Sequence, residues 1–257
     1  MARQPLTVFQ LGSGSCGNAT VVAGPRGALL IDAGFSAKET LRRAASVGVA
    51  ADSIRGIVVS HGHGDHAGGV PVLARRLQVP VWATEPTLER LTNLRGSEDL
   101  RVLPRNGRLN VAGMAVDTMP VPHDAPGTII ARVEGRVAVA TDLGIADTGV
   151  RDFLDGLDGL LLEFNHDLDM LAEGEYPHGL KDRVRSDTGH LSNAQAADLL
   201  TSPQFRLPKI ALWLCHLSRN NNTPTHALCA AEDAVDGRDL NVVMTSQFVP
   251  ARPVTLA

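Results

Sequence analysis

Six consecutive residues near the start of the chain carry three imidazoles and one carboxylate. The four side chains belong to His61, His63, Asp65 and His66, and Gly62 and Gly64 lie between them. The segment follows the apolar run 57–59. An extended run holds its backbone rigidly, and the glycines let the next loop fold back so that several side chains point to one place. Imidazole nitrogens and a carboxylate oxygen suit zinc, manganese or iron. Four such groups exceed what one tetrahedral zinc normally draws from so short a segment, so the motif predicts two divalent ions, Zn²⁺ or Mn²⁺.

Further candidate metal ligands lie in later loops. His123 lies between two prolines, and Asp142 and His216 each follow an apolar run. Loops at one edge of a sheet collect side chains on a rigid scaffold, so these residues are expected beside the first motif. For each residue alone, a structural role in the core or in a turn remains an open alternative. Together with the first motif they complete two coordination sets.

The elements that must position these groups alternate between strand-like and helix-like patterns. Strands come first as hairpins and later interleave with helices, which predicts two mixed sheets packed together with helices outside, a four-layer αββα sandwich of the α/β class. No Pro/Ser-rich linker divides the chain, so a single domain over residues 1–257 is expected, in which region 96–113 joins two similar halves. The predicted strands are Leu6–Leu11, Ala19–Ala23, Ala28–Ile31, Ile54–Val59, Val79–Ala83, Ala115–Pro120, Thr128–Val133, Val137–Ala140, Gly159–Leu162, Ile210–Cys215 and Leu240–Met244. The predicted helices are Ala37–Val47, Val70–Leu77, Thr87–Leu94, Asn193–Leu200 with Ser192 as N-cap, and Ala227–Ala234.

Composition limits the class of protein. The chain has 257 residues, of which 44% are hydrophobic and 20% charged, as in a globular protein with a substantial core. We see no membrane span or export signal, and three cysteines disfavour a disulfide framework, so a cytoplasmic location is expected. The net charge of −4 means that a polyanion must be held by metal or by a local positive patch. Composition leaves the oligomeric state open.

The order of these motifs resembles that of the metallo-β-lactamase-fold hydrolases over nearly the whole chain. The resemblance implies that His61, His63 and His123 hold one metal ion, that Asp65, His66 and His216 hold the other, and that Asp142 bridges them.

Other segments are similar to the WalJ (YycJ, VicX) group of this fold. Its members are cytoplasmic bacterial proteins regarded as DNA-directed exonucleases or phosphodiesterases. The chain departs from the group at Cys16, where serine is commoner, and at the two spacer glycines of the first motif. Neither departure removes a ligand. The similar segments are 11–18, 30–34, 163–167, 186–193 and 216–224.

Glu163 followed by His190 is similar to the glutamate–histidine pair of the tRNA 3′-processing endonuclease. Independently of any family, a histidine held by a carboxylate suits a proton donor, because the carboxylate orients the ring and favours its charged form. The alternative is that Glu163 forms a local cap or salt bridge and that His190 lies in a turn before a helix. We take Asp65, Glu163 and His190 as the catalytic candidates.

The chemistry expected of this set is hydrolysis. Two neighbouring cations lower the pKa of a bridging water, so hydroxide forms at neutral pH, Asp65 orients it and His190 protonates the leaving oxygen. Substrate contacts are expected from two pairs of residues: Ser13 and Ser15 on a glycine-rich loop, and Arg183 and Arg185 before His190. A plain hairpin turn and a solvated basic turn are the respective alternatives.

The resulting prediction is a dinuclear metal-dependent phosphodiesterase, most simply an exonuclease acting on DNA, single strands or ends, in preference to RNA. Aromatic residues make up 4% of the chain, which offers few platforms for base stacking, so contacts to backbone phosphates are expected to dominate. The alternatives are a thioester or lactone hydrolase of the glyoxalase II type, a small-molecule phosphodiesterase, and a non-catalytic regulator that uses the fold for binding.

Overall fold

The computed structural model describes residues 4–91 and 99–257. Among these residues no helix combines the length and the apolar character that crossing a membrane requires. The strands are β1 (Leu6–Gly12), β2 (Ala19–Gly24), β3 (Gly27–Ile31), β4 (Ile54–Val58), β5 (Val81–Ala83), β6 (Leu100–Val102), β7 (Gly107–Val111), β8 (Met114–Pro120), β9 (Ile129–Val133), β10 (Val137–Ala140), β11 (Gly159–Glu163), β12 (Ala211–Cys215), β13 (Asn241–Met244) and β14 (Val254–Leu256). The α-helices are α1 (Ala37–Ser46), α2 (Gly64–Ala67), α3 (Val70–Leu77), α4 (Glu85–Arg90), α5 (Thr148–Leu154), α6 (Leu168–Glu173), α7 (His178–Val184), α8 (Asn193–Thr201) and α9 (Pro224–Ala234), and a 3₁₀ turn spans Ala51–Ser53.

The described strands form two seven-stranded sheets, ordered β14-β1-β2-β3-β4-β5-β6 and β13-β12-β11-β10-β9-β8-β7. In the first sheet β1, β2 and β3 pair antiparallel, and β3 to β6 pair parallel. In the second sheet β7 to β10 pair antiparallel, and β10 to β13 pair parallel. The chain passes from one sheet to the other between β6 and β7, inside the predicted junction 96–113, whose residues 96–98 lie outside the described part. The strand β14 then returns to pair with β1. The two halves therefore have similar topology.

Three apolar layers hold the four structural layers together. The strand β11 shows why, because its three leucines are completely buried yet belong to different layers. Leu161 packs between the two sheets, whereas Leu160 and Leu162 pack under α5, α8 and α9. Burial on both faces is typical of a parallel strand covered by helices. A third layer, which includes Leu30 and Leu73, joins the first sheet to α1 and α3. The predicted four-layer αββα sandwich is confirmed.

The predicted elements are confirmed to within a few residues where the structure describes them. Ser192 caps α8 as predicted, accepting a hydrogen bond from the backbone of Gln195. Helix α9 begins three residues earlier than predicted, because Thr223 caps it and Pro224 occupies its first turn. Helix α4 begins two residues early, and residues 92–94 of that prediction lie outside the described part. The elements that the sequence did not predict are β6, β7, β14, α2, α5, α6 and α7.

Candidate metal centre

The first motif lies in the loop after β4 and in the single turn of α2, and three histidines converge there. Ligand atoms of His61, His63 and His123 all lie within 4.8 Å of one another. The ring centroids of His61 and His63 are 4.7 Å apart, and each lies 5.1 Å from that of His123. His123 is 60 residues away from His63 in sequence, so the fold brings together groups that the sequence only suggested would meet.

A second cluster lies beside the first and contains Asp65, His66 and His216. Oδ2 of Asp65 lies 3.4 Å from Nε2 of His216 and 3.6 Å from Nε2 of His66. Asp142 lies between the clusters: one carboxylate oxygen is 3.0 Å from Nε2 of His66, and the other is 3.5 Å from Nε2 of His216 and 3.8 Å from Nε2 of His123. All seven predicted metal ligands therefore meet at one place.

Parallel strands deliver the later members of the centre to one edge of the second sheet. Asp142 follows β10, Glu163 ends β11 and His216 follows β12, and these three strands are neighbours. Asp142 and His216 have φ of 61° and 55°, in the left-handed region. Such a conformation costs a residue other than glycine roughly 1 to 3 kcal/mol, which the surrounding structure must offset. The backbone reverses at these positions so that both side chains point back into the centre.

The donor set fits divalent cations. Nε2 of His61 is buried without a hydrogen-bond partner, whereas buried polar atoms in proteins normally have one. Burial and the nearby His66 lower the pKa of His61 well below its usual value, which leaves a neutral ring with a free lone pair. Burial also opposes protonation of His66, but Asp142 and Asp32 raise the pKa of His66 well above its usual value. The same negative charge stabilises a bound cation.

A carboxylate outside the centre orients His66. Nδ1 of His66 lies 2.7 Å from Oδ2 of Asp32, which also accepts a hydrogen bond from the hydroxyl of Ser60. The other oxygen of Asp32 accepts from the backbone N–H of Ser60, next to His61. When Nδ1 donates to a carboxylate, Nε2 keeps its lone pair toward the metal side. The amide of Asn18 lies 2.9 Å from Nε2 of His66 and ties the 13–18 loop to the motif.

His216 has its own set of supporting contacts. Its backbone N–H donates to the hydroxyl of Ser13, which in turn donates to Asn18. The amide of Asn165 donates to the carbonyl oxygen of His216 and lies 3.1 Å from Nδ1 of the ring. These contacts hold the left-handed backbone of His216 and thereby fix the direction of its side chain.

Glu163 and His190 form the pair that the sequence suggested. Nδ1 of His190 lies 2.8 Å from Oε1 of Glu163, and Nδ1 of His216 lies 3.2 Å from the same oxygen. The second oxygen of Glu163 accepts from the backbone N–H groups of Leu143 and Leu191, so the carboxylate is fixed on both sides. Burial opposes protonation of His190, yet the charge of Glu163 raises its pKa. Because Glu163 occupies Nδ1, only the second ring nitrogen of His190 remains free of this contact.

The centre opens into a cleft of about 280 Å³. Asp65 and His190 line it together with Ser15, whereas Ser13 is buried and uses its hydroxyl and its N–H inside the protein. Tyr176, from the segment between α6 and α7, also lines the cleft. Of the two serines proposed to contact substrate, Ser15 lines the cleft, whereas Ser13 is buried and accepts a hydrogen bond from the backbone of His216.

The two arginines proposed to contact substrate differ in position. Arg183 lines the cleft, and its guanidinium makes a two-nitrogen ion pair with Asp124, whose other oxygen lies 3.2 Å from Nε2 of His63. Arg185 pairs with Asp182 on α7 and is not among the residues lining the cleft in the described part of the chain. Arg183 therefore already has an acidic partner at the cleft, and Arg185 points elsewhere.

Several supporting residues received no role from sequence reasoning. Asp32 carries the signal that served for Asp142 and His216, namely a polar residue within two positions of the end of an apolar strand, and that signal would have found it. Asn18, Asn165 and Asp124 carry no comparable signal, because their partners come from distant loops.

Gly34→Ala is expected to disturb the centre from outside it. A Cβ at Gly34 would lie 1.7 Å from the carbonyl oxygen of Asp65, so the motif loop must move. We expect the affinity for metal to fall by about tenfold or more, the loss typical of outer contacts of a metal site. Chelator competition measures that affinity. Gly64→Ala is the matched control, because a Cβ at Gly64 meets nothing within 4 Å. Equal affinity in both variants would contradict the prediction.

Comparison with known proteins identifies the family of this chain. A model described as the metallo-beta-lactamase superfamily matches residues 15–188. The chain is 32% identical to "Exodeoxyribonuclease YycJ" of Bacillus anthracis over 90% of each chain, and 28% identical to "Exodeoxyribonuclease WalJ" of Streptococcus pneumoniae over 95% of this chain and 94% of the relative. The crystal structure of the metallo-beta-lactamase fold protein YhfI from Bacillus subtilis superposes with a TM-score of 0.75 at 15% identity, covering 98% of this chain and all of the other. On its motifs, its fold and these similarities, the chain belongs to the metallo-beta-lactamase superfamily.

Proposed function

We propose that this protein is a metal-dependent exodeoxyribonuclease that acts on DNA single strands or ends. The observation that carries the proposal is the 2.8 Å contact between Glu163 and His190, directly beside the donor clusters. Cleavage of a phosphodiester requires charge stabilisation at phosphorus and a proton for the departing sugar oxygen. A thiolate is a much better leaving group than a sugar alkoxide, so a thioester hydrolase has less need of a held proton donor. The relatives named exodeoxyribonuclease support DNA as the substrate.

We further propose that the centre holds two divalent ions. His61, His63 and His123 would bind one of them. Asp65, His66 and His216 would bind the other, with Asp142 shared between the two. Histidine and carboxylate ligands accept both Zn²⁺ and Mn²⁺, so the supply of metal in the cell decides between them.

The side chains then have separate tasks. Divalent ions in the centre supply Lewis acidity, lowering the pKa of water and neutralising negative charge on phosphoryl oxygens. Asp65 lines the cleft and accepts a hydrogen bond from the attacking water at a carboxylate oxygen, which orients the water. Glu163 holds the ring of His190 through Nδ1, and Nε2 of His190 donates a proton to the departing sugar oxygen. Ser15 lines the same cleft, and its hydroxyl would donate to a phosphate oxygen.

The test is a parallel assay of metal-reconstituted protein on several substrates. These are end-labelled single- and double-stranded DNA, RNA, bis(p-nitrophenyl) phosphate and S-lactoylglutathione. We expect mononucleotides to be released from DNA, and metal analysis to find two ions per chain. Asp65→Ala is expected to lose turnover on DNA. Cleavage of S-lactoylglutathione without cleavage of any phosphodiester would overturn the proposal in favour of a thioester hydrolase.

A further inference from the structure

One aromatic side chain stands out of the protein surface in a loop that is hydrogen-bonded to residues 11–16. Phe248 is 62% exposed, and it is the only aromatic among the large exposed apolar side chains of residues 4–91 and 99–257. It lies in the loop between β13 and β14. Exposure of a single large apolar group is common on protein surfaces, so its meaning depends on how the loop is held and on what lies beside it.

The loop that carries Phe248 is fixed by a buried guanidinium. Arg43 is 5% exposed, and it donates to the carbonyl oxygens of Gln247 and Phe248 as well as to that of Leu11 at the end of β1. The side chain of Gln247 accepts a hydrogen bond from the backbone N–H of Cys16. Cys16 directly follows Ser15, which lines the cleft. The loop that carries Phe248 is therefore fixed against a loop that lines the cleft.

An arginine from a different loop lies next to this ring. Arg219 follows Ser218, which lines the cleft, and comes three residues after His216. The guanidinium carbon of Arg219 lies 6.0 Å from the centroid of the Phe248 ring. Arg219 is exposed and forms no ion pair with any acidic group in the described part of the chain. In this respect it differs from Arg183, whose guanidinium is held by Asp124.

This pairing has the chemistry of a nucleotide site. An exposed aromatic face stacks on a nucleobase whatever its sequence, and an arginine without an acidic partner binds a phosphate through two charge-assisted hydrogen bonds. A protein with a net charge of −4 does not attract DNA by its overall field, so an arginine without an acidic partner, next to a residue that lines the cleft, has a large effect on binding.

We propose that Arg219 and Phe248 form a subsite for a nucleotide flanking the scissile linkage of single-stranded DNA. Phe248 stacks on the base, and Arg219 binds the adjacent phosphate. The proposal rests on the proposed nuclease function, and it identifies unpaired strands as the substrate class. The low aromatic content predicted that stacking would contribute little, whereas this subsite would concentrate stacking at one position beside the metal centre.

Binding of a fluorescein-labelled strand tests the subsite separately from cleavage. The strand is an oligonucleotide of about 12 thymidines, within the usual span of single-strand sites. Its affinity for metal-loaded protein is measured by fluorescence anisotropy in a His190→Ala background, which slows cleavage. Phe248→Ala is expected to weaken binding roughly tenfold, the typical effect of removing one stacking partner. Arg219→Ala is expected to weaken binding and to reduce the slope of log affinity against log salt by about 0.7, the loss of one phosphate contact on a single strand.

Matched controls come from the same surface and from the far end of the sheet. Val249 is 61% exposed next to Phe248, and Arg26 is exposed in the turn between β2 and β3. Val249→Ala and Arg26→Ala are expected to bind as the parent protein does. Parental affinity in Phe248→Ala and Arg219→Ala, or no measurable binding by the parent protein, would overturn the subsite.

The cleavage assay of the wild-type protein separates the two proposals. Cleavage of DNA together with unchanged binding in both subsite variants would reject the subsite and leave the nuclease function standing. No cleavage together with weakened binding in both variants would reject the nuclease function and leave a single-strand binding site.

Discussion

Asp142→Asn is expected to reduce DNA hydrolysis by about a thousandfold or more and to lower the metal content of the protein. Loss of an outer contact to a metal ligand typically costs 10- to 100-fold, and Asp142 is closer to the centre than any such contact. One of its oxygens lies 3.0 Å from Nε2 of His66 in the second cluster, and the other lies 3.8 Å from Nε2 of His123 in the first, so one substitution affects both clusters. The amide of asparagine has the same shape as the carboxylate of Asp142 but lacks the negative charge that stabilises neighbouring cations.

Asparagine is chosen so that the substitution does not disturb the fold. Asp142 has a φ of 61°, a conformation that asparagine tolerates much better than alanine does. Metal content by elemental analysis and initial rates on end-labelled DNA give the result. Asp167→Asn is the control, since Asp167 is a nearby acid that caps α6, a role that asparagine fills equally well. A fully active Asp142→Asn protein with two ions bound would refute the assignment.

The sequence predicted which side chains converge at the candidate metal centre, because the signals for that convergence are local. A histidine or an aspartate after an apolar strand is visible in the chain itself, and strands of one sheet place such residues at one edge. The left-handed backbone at Asp142 and His216 is not visible in the same way, although it decides where both side chains point. At His216 that conformation is held by hydrogen bonds with Ser13 and Asn165, which come from other parts of the fold.

The elements that the sequence missed have weak patterns for physical reasons. All three residues of β6 are exposed, so this strand has no buried face to produce an alternating pattern. The strand β7 alternates, but its middle residues include an arginine and an asparagine. Helices α2, α6 and α7 have four to seven residues, too few for a helical period to emerge. Edge strands and short helices depend on tertiary contacts more than on their own sequence.

Substrate contacts were the least predictable part of the site. The pairing of Arg183 with Asp124 joins residues 59 positions apart, and the contact between Arg219 and Phe248 joins two separate loops. In the sequence, Arg183 and Arg185 looked equivalent, and Arg219 looked like part of a family segment. The fold distinguishes them by giving Arg183 and Arg185 acidic partners and leaving Arg219 beside an exposed ring.

His190→Ala is expected to slow the cleavage of DNA by roughly a hundredfold to ten-thousandfold, the usual contribution of a general acid. The same variant is expected to lose little activity on bis(p-nitrophenyl) phosphate, because nitrophenolate departs without a proton. This difference between leaving groups is the signature of a proton donor. Initial rates on both substrates, together with metal analysis, provide the measurement.

The leaving-group comparison also separates two roles that the geometry allows for His190. Ligand atoms of Asp142, Glu163, His190 and His216 lie within 4.8 Å of one another, so His190 is close enough to serve as a metal ligand instead. In that case His190→Ala would lose metal and would lose activity on both substrates equally, which would contradict the proton-donor role. Glu163→Gln is expected to show the same substrate dependence as His190→Ala with a smaller loss on DNA, because the ring remains but its orientation and charge are no longer held. Glu173→Gln, at the end of α6, supplies the control for removing one glutamate charge from the protein.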